Sequence, residues 1–124
     1  MGKFVIKSAA KGKGVKFDLK APNGQVVASS QVYASMKSCK NGIASVVRNA
    51  PIAPIEDQTG KDAHEKNPKF ELYTDKSGEY RFRLRAANGQ IIATGEGYKT
   101  KKSCLNGIES TRKNVVDAQI EVVE

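Results

Sequence analysis

One histidine and two cysteines stand among the 124 residues, and that shortage removes several chemistries at once. His64 sits in a polar stretch with no second histidine and no cysteine pair at ligand spacing, so no metal site is expected. A nucleophilic cysteine needs a base, and neither Cys39 nor Cys104 has a histidine near it in the sequence. No Ser-His-Asp arrangement is legible either. Gly12 and Gly14 do not form a phosphate-binding loop, because no helix and no Lys-Ser/Thr signature follows them. Long apolar runs are also absent: none approaches the ~20 residues that cross a bilayer, so no membrane partner is expected. The segment Met1–Lys7 has no long apolar stretch, and Ile6 stands where a myristoylation signal places Ser or Thr. The expectation is a cytoplasmic protein that is not an enzyme, with no catalytic residue, metal or cofactor. Acidic residues are few as well, 13 against 21 Lys and Arg, for a formal charge of +8 and a pI near 9.6. Such a field attracts polyanions without establishing that any is bound.

What the chain does contain, it contains twice. Val15 to Asn49 matches Tyr80 to Asn114 at a constant offset of 65 residues. The identities include Phe17/Phe82, Leu19/Leu84, Asn23-Gly24-Gln25/Asn88-Gly89-Gln90, Tyr33/Tyr98, Lys37-Ser38-Cys39/Lys102-Ser103-Cys104 and Asn41-Gly42-Ile43/Asn106-Gly107-Ile108. A module this small is marginal alone, and two units are too few for a solenoid. The duplication therefore implies two halves sharing one core, a monomer built as a pseudo-dimer.

Within each repeat the period changes once. Phe4 and Ile6 alternate with Lys3, Val5 and Lys7, as Phe70 and Leu72 do with Lys69, Glu71 and Tyr73, which reads as half-buried strand. Val15–Lys20 and Tyr80–Arg85 alternate without exception, and the Asn-Gly pairs that follow predict hairpins with type I′ turns. From Met36 the spacing of Cys39, Ile43, Val46 and Ala50 is that of a helix, with Ser35 and Thr100 as N-caps. Gly42 and Gly107 interrupt good helix formers; they mark either a close approach of helix to sheet or a helix broken at Asn41. A short strand closes each repeat, Ala53–Asp57 and Ala118–Val123, the first with Pro51 and Pro54 at its entrance. The segment 58–68 is a linker without apolar periodicity. The organisation is thus 1–57, linker 58–68, and 69–124.

With these motifs in view the chain resembles the YegP-like family of tandem-repeat domains of unknown function. The carriers are the Asn-Gly-Gln hairpins, the Tyr-x-Ser/Thr-x-Lys-Ser-Cys stretches at 33–39 and 98–104, and the Asn-Gly-Ile-x-Ser segments at 41–45 and 106–110. The resemblance spans nearly everything except the linker. It implies an α+β fold of two β-β-β-α-β repeats forming one antiparallel sheet, two helices packed on it, and C-terminal strands exchanged between repeats. It supplies no catalytic residues.

Two groups of residues are candidates for function. If Phe82 and Leu84 face the helices, Arg81, Arg83 and Arg85 face away with Lys16 and Lys20, and the opposite sheet face also collects Lys3, Lys7 and Lys69 against Asp18 and Glu71. Phosphates of nucleic acid or another acidic partner could lie there, with Tyr73 as a stacking surface; the alternative is a solvated face that discourages aggregation. The second group flanks the helix starts, Tyr33, Lys37 and Ser38 with Tyr98, Lys102 and Ser103, either an anion site or packing and capping. Cys39 and Cys104 share a helix face with Ile43 and Ile108 and are expected as buried thiols, although their pairing is not readable from sequence. A small binding module contacting a polyanion is the leading expectation. A protein-interaction or structural module without such a ligand is the rival, and a small-molecule site at the helix starts the third.

Overall fold

Alternating apolar and charged residues build the strands. The computed structural model describes residues 2–9, 13–60 and 65–123; His64 and Gly12 lie outside them. The antiparallel strands β1 (Lys3–Ser8), β2 (Val15–Lys20) and β3 (Val26–Ser29) lead to helix α1 (Met36–Asn49) and the short strand β4 (Ile55–Asp57). The second repeat follows the same course through β5 (Lys69–Thr74), β6 (Tyr80–Arg85), β7 (Ile91–Thr94), α2 (Lys101–Asn114) and β8 (Gln119–Val123). All eight strands lie in one sheet ordered β4-β5-β6-β7-β3-β2-β1-β8.

The sheet is mixed, which corrects the expectation of an antiparallel one. β4 pairs with β5 and β8 with β1, both in parallel. β4 and β5 are consecutive in the chain and joined through the segment 58–68, whereas β8 follows α2 and lies beside the first strand of the chain; a parallel pair needs such a long connection rather than a tight turn. A second correction concerns the hairpins. Gly24 and Gly89 take a positive φ of 88°, but neither Asn23 nor Asn88 does, so the turns are not type I′. Gly24 N–H donates to Ala21 O at 2.9 Å, and Asn23 Oδ1 accepts from Gln25 N at 3.0 Å. This is the longer loop with glycine in the left-handed position, with the asparagine holding the turn by its side chain.

Both helices run unbroken through their glycines. Ser35 and Thr100 cap them, accepting from Ser38 N and Ser103 N. The glycines are there because of tyrosine. Tyr33 and Tyr98 are bridged to Val15 and Tyr80 just before each helix, and a Cβ on Gly42 or Gly107 would collide with the hydroxyl and ring of the tyrosine in the same repeat. At Gly107 the same Cβ would also stand 3.1 Å from the fully buried Phe82 ring.

The core lies between the helices and one sheet face. Phe4, Ile6, Phe17, Leu19, Phe70, Leu72, Phe82 and Leu84 are all buried there with Ile43, Val46 and Ile108. α1 packs on β2 and β7, and α2 on β6, β3 and β2, so each helix covers strands of both repeats. By contrast the strands at the seam share a single residue pairing, Ser29 with Thr94.

Two outcomes test this packing. A chain of residues 1–60 alone should not fold as a monomer, because its half of the core is closed by α2 and β8; a well-dispersed monomeric NMR spectrum would refute the shared core. Gly107→Ala gains about 1 kcal/mol of helix propensity, yet crowding against Tyr98 and Phe82 should leave it about 1–2 kcal/mol less stable in chemical denaturation. A variant as stable as the parent would show that the tyrosine yields freely.

Candidate functional site

The alternation sends Arg81, Arg83 and Arg85 to the sheet face opposite the helices, and there they meet carboxylates. Glu71 on β5 faces Arg83 across the antiparallel ladder. Its Oε1 accepts from Arg83 Nε at 2.5 Å and from Arg85 Nε at 2.7 Å, and its Oε2 accepts from Gln58 Nε2 at 3.1 Å. Lys69 bridges to Glu56 at 2.8 Å and to Glu71 at 3.5 Å. Arg81 Nε donates to Asp75 in the β5–β6 turn at 2.6 Å. Tyr73 is covered by the Arg83 guanidinium, 4.4 Å above its ring, so its face is occupied from within the molecule.

The first repeat carries a weaker version of this arrangement. Lys3 stands opposite Lys20 and Lys7 opposite Lys16, like charges whose repulsion Asp18 relieves by pairing with Lys7 at 2.8 Å while accepting from Ser29 Oγ at 2.7 Å. Lys16 and Lys20 make no ion pair among the described residues. The face expected to be a free cationic platform is therefore an internally neutralised network in the second repeat and a partly neutralised one in the first. A signal for this was present in the sequence. A hairpin turn centred on Ser77 sets Glu71 against Arg83 and Tyr73 against Arg81 by reflection.

The carboxyls record that neutralisation. Lys69, Gln58 and the Glu65 N–H hold Glu56 down to about 2. Burial works to raise Glu71, but Arg83 and Arg85 overcome it and hold the carboxyl below its ordinary value. Arg81 likewise holds Asp75 down, with help from Ser77.

At the helix starts the hydroxyls are already engaged. Ser38 N donates to Ser35 Oγ at 3.1 Å and Ser103 N to Thr100 Oγ1 at 3.1 Å, and the paired hydroxyls lie 3.0 and 2.9 Å apart. Tyr33 stacks near Phe17 with ring centroids 6.2 Å apart. Burial raises both tyrosine hydroxyls above their ordinary value, helped by the neighbouring Cys39 and Cys104. Lys37 and Lys102 point outward, exposed. A cleft of about 450 Å3 bordered by Lys3, Pro22, Asp117 and Gln119 lies elsewhere, with neither tyrosine in its wall. Cys39 and Cys104 are free and buried; burial pushes Cys39 up, and burial with the Asp57 charge pushes Cys104 up to about 11. Such thiols stay protonated at neutral pH. Among the described residues no cluster of His, Cys, Asp and Glu could hold a metal ion, and no helix is long and apolar enough to cross a membrane.

The distribution of cations between the two layers is not legible from the strand alternation alone. α1 has three basic residues and no acidic one, while α2 has four basic and one acidic. The helices thus contribute six of the eight net positive charges. Lys37 and Arg48 of α1 have Lys102 and Lys113 of α2 at the equivalent positions. All four, with Lys40, are exposed and make no ion pair among the described residues.

The sheet-face network yields a pH prediction. A carboxyl held below its unfolded value adds stability that is complete above that value, near 4.5, and is lost as pH falls; for Glu56 the loss extends to about 2. Thermal stability should fall between about pH 5 and pH 2. Glu71→Gln should cost about 2 kcal/mol at neutral pH, less than a fully buried pair because its arginines are a quarter exposed, and should flatten the acid slope. An unchanged melting profile across that range would contradict the network.

Comparison with known proteins agrees with the duplicated architecture. The family described as a domain of unknown function, DUF1508, matches twice, over residues 10–57 and 75–121. The UPF0339 protein YegP of Yersinia pestis is 36% identical over 121 residues, covering 98% of this chain and 95% of that protein. A UPF0339 protein of Treponema denticola is 60% identical over 52 residues, which are 42% of this chain but 90% of that one. The solution NMR structure of the protein of unknown function yegP from E. coli superposes with a TM-score of 0.79 at 30% identity, covering 98% of this chain and 91% of that one. Two matched repeats, full-length relatives and a common α+β fold agree: this chain belongs to the UPF0339/DUF1508 family of unknown function, as a tandem-repeat, YegP-like member.

Proposed function

We propose that the chain is a non-catalytic binding module for a polyanion, nucleic acid first among them, and that the contact falls mainly on the helix layer. The observation that carries this reading is the unequal pairing of charge. Carboxylates on and beside the sheet face occupy the β6 arginines, whereas Lys37, Lys40, Arg48, Lys102 and Lys113, exposed on α1 and α2, make no ion pair among the described residues. Lys37 and Lys102 also stand in first helical turns without an acidic residue. Cations at that end oppose the helix dipole by a few tenths of a kcal/mol each, a cost that a bound anion offsets. Lys16 and Lys20 extend the positive field on the sheet side. Partial cover on every tyrosine and full burial of every phenylalanine leave no stacking platform. Phosphate backbones rather than splayed bases are the matching ligand.

The buried, protonated cysteines support a role without chemistry. A protein-interaction role is the second reading, favoured by the exposed apolar strand β8.

The test is fluorescence anisotropy with duplex and single-stranded oligonucleotides across a salt series. Binding should weaken with rising salt. A Lys37→Ser/Lys40→Ser/Lys102→Ser variant should lose roughly tenfold or more in affinity at low salt and about 3 from the logarithmic salt slope. Arg81→Ser/Arg83→Ser/Arg85→Ser, checked for folding because it strips Glu71 of its partners, should bind nearly as well as the parent. A larger loss in the arginine variant would move the contact to the sheet face. No binding of either nucleic acid at low salt would remove nucleic acid as the ligand.

A further inference from the structure

The two sheet edges are equivalent by the repeat and unequal in chemistry. At one, β4 is three residues long, Ile55-Glu56-Asp57, and is entered through Pro54. Glu56 is tied to Lys69, and Asp57 reaches Lys101 on α2 at 2.8 Å. At the other, the same offset puts Val122 where Asp57 stands and Met36 where Lys101 stands, so an ion pair becomes an apolar pair. β8 has five residues, Gln119 to Val123, with no proline and no lysine, and all are exposed. Ile120 and Val122 stand beside Phe4 and Ile6 in the ladder, yet they are 47% and 48% exposed while Phe4 and Ile6 are fully buried. Neither helix packs extensively on β8; α1 comes to this edge only at its first residue, Met36. Val122 and Val123 line a cleft of about 240 Å3 with Met36, Ile6 and Val15.

Natural edge strands are usually blunted by charge, proline or brevity, because unpaired backbone groups are a template for another strand. β4 has all three devices. β8 has only Glu121, and that charge is already met by Lys3 at 3.1 Å.

We propose that β8 is the docking edge for a second copy of this chain, the two strands running antiparallel about a two-fold axis at Ile120. In that register Gln119 of each chain stands opposite Glu121 of the other on the outer face, amide against carboxylate. On the inner side Ile120 meets Ile120 and Ala118 meets Val122, which covers the apolar side chains that no helix covers. Centring the axis on Glu121 would instead oppose two carboxylates, so charge selects the register. The self-complementary order polar, apolar, acidic makes a second copy the fitting occupant; an isologous contact needs one patch only. The net charge of +8 does not forbid the approach, because Lys3–Glu121 and Lys7–Asp18 leave the edge locally neutral. The association rests on one strand pairing and a small apolar cover, so it belongs with weak, concentration-dependent dimers. This edge is separate from the polyanion surface and does not depend on it.

Sedimentation equilibrium of the full chain from about 10 to about 500 µM, a range suited to weak interfaces, should show the mean mass rising toward twice that of the monomer. The decisive variant is Met36→Lys/Val122→Asp, which copies the ion pair of the other edge; it should remain folded and shift the association to at least tenfold higher concentration. Ile120→Lys, at an exposed position, is the second variant should that pair not fold, with the same expected shift. A parent chain that stays monomeric at the top of the range overturns the proposal, as does a folded edge variant that associates like the parent.

Discussion

Closing one core across two repeats is the constraint on which the rest of the molecule depends. β3 and β7 share one residue pairing, too little to join two sheets by backbone bonds alone. The joint is made instead by side chains, because each helix lies over strands of both repeats and buries their phenylalanines and leucines together. A helix can settle that deeply only where its own backbone has no side chain in the way. The Gly42 and Gly107 positions give up about 1 kcal/mol of helix propensity each and in return admit the tyrosine that leads into the helix. The strain between local propensity and tertiary packing is resolved at one residue per repeat.

Once one sheet face is committed to the core, the other must carry everything that alternates with it. Charged residues at every second position of adjacent strands leave little room for independent behaviour. Cations and carboxylates on neighbouring strands are held a ladder spacing apart, and Glu56, Asp18 and Glu71 become buried by the long side chains around them without entering the apolar core. That network discourages edge association by charge in the β4 half and fixes the register of β5 against β6. It also uses up the charge that a polyanion would need. The helices, which touch the sheet through only one stripe, leave their remaining positions outside any such network.

Much of this was legible in the residues. Strict alternation from Tyr80 to Arg85 gave the buried face, and the change of period at Met36 gave the helix, because burial in these elements is decided by neighbours a few positions away. The parallel outer pairs were not legible: which strand receives β4 or β8 depends on where a helix releases the chain, a tertiary matter. Reading the turn type from Asn-Gly alone also failed, since Asn23 spends its side chain on Gln25 N rather than its backbone on a positive φ. The arginine partners lay between these cases. The alternation within one strand gives Arg83 a direction but not a neighbour, while the turn at Ser77 sets Glu71 opposite it.

The internal comparison separates what the fold requires from what it permits. Both copies keep the phenylalanine and leucine of the second strand, the tyrosine and glycine of the helix contact, and the cysteine beneath it, all positions whose side chains touch the shared core. In the core they part only by exchanges of uncharged side chains, Val46 for Thr111 and Ala50 for Val115 among them; charge changes at Asp18 and Arg83, at Met36 and Lys101, and at Val122 and Asp57, on the outer face or at an edge. If the surface served only solubility, charge could be scattered without regard to the pseudo-two-fold axis. Instead, exchanging Lys101 and Asp57 for Met36 and Val122 removes both members of one ion pair together. That exchange leaves no lone charge behind and converts an edge from guarded to open. A coordinated replacement of this kind is what a surface used differently on its two sides demands, and it places any division of labour between the repeats outside the core that unites them.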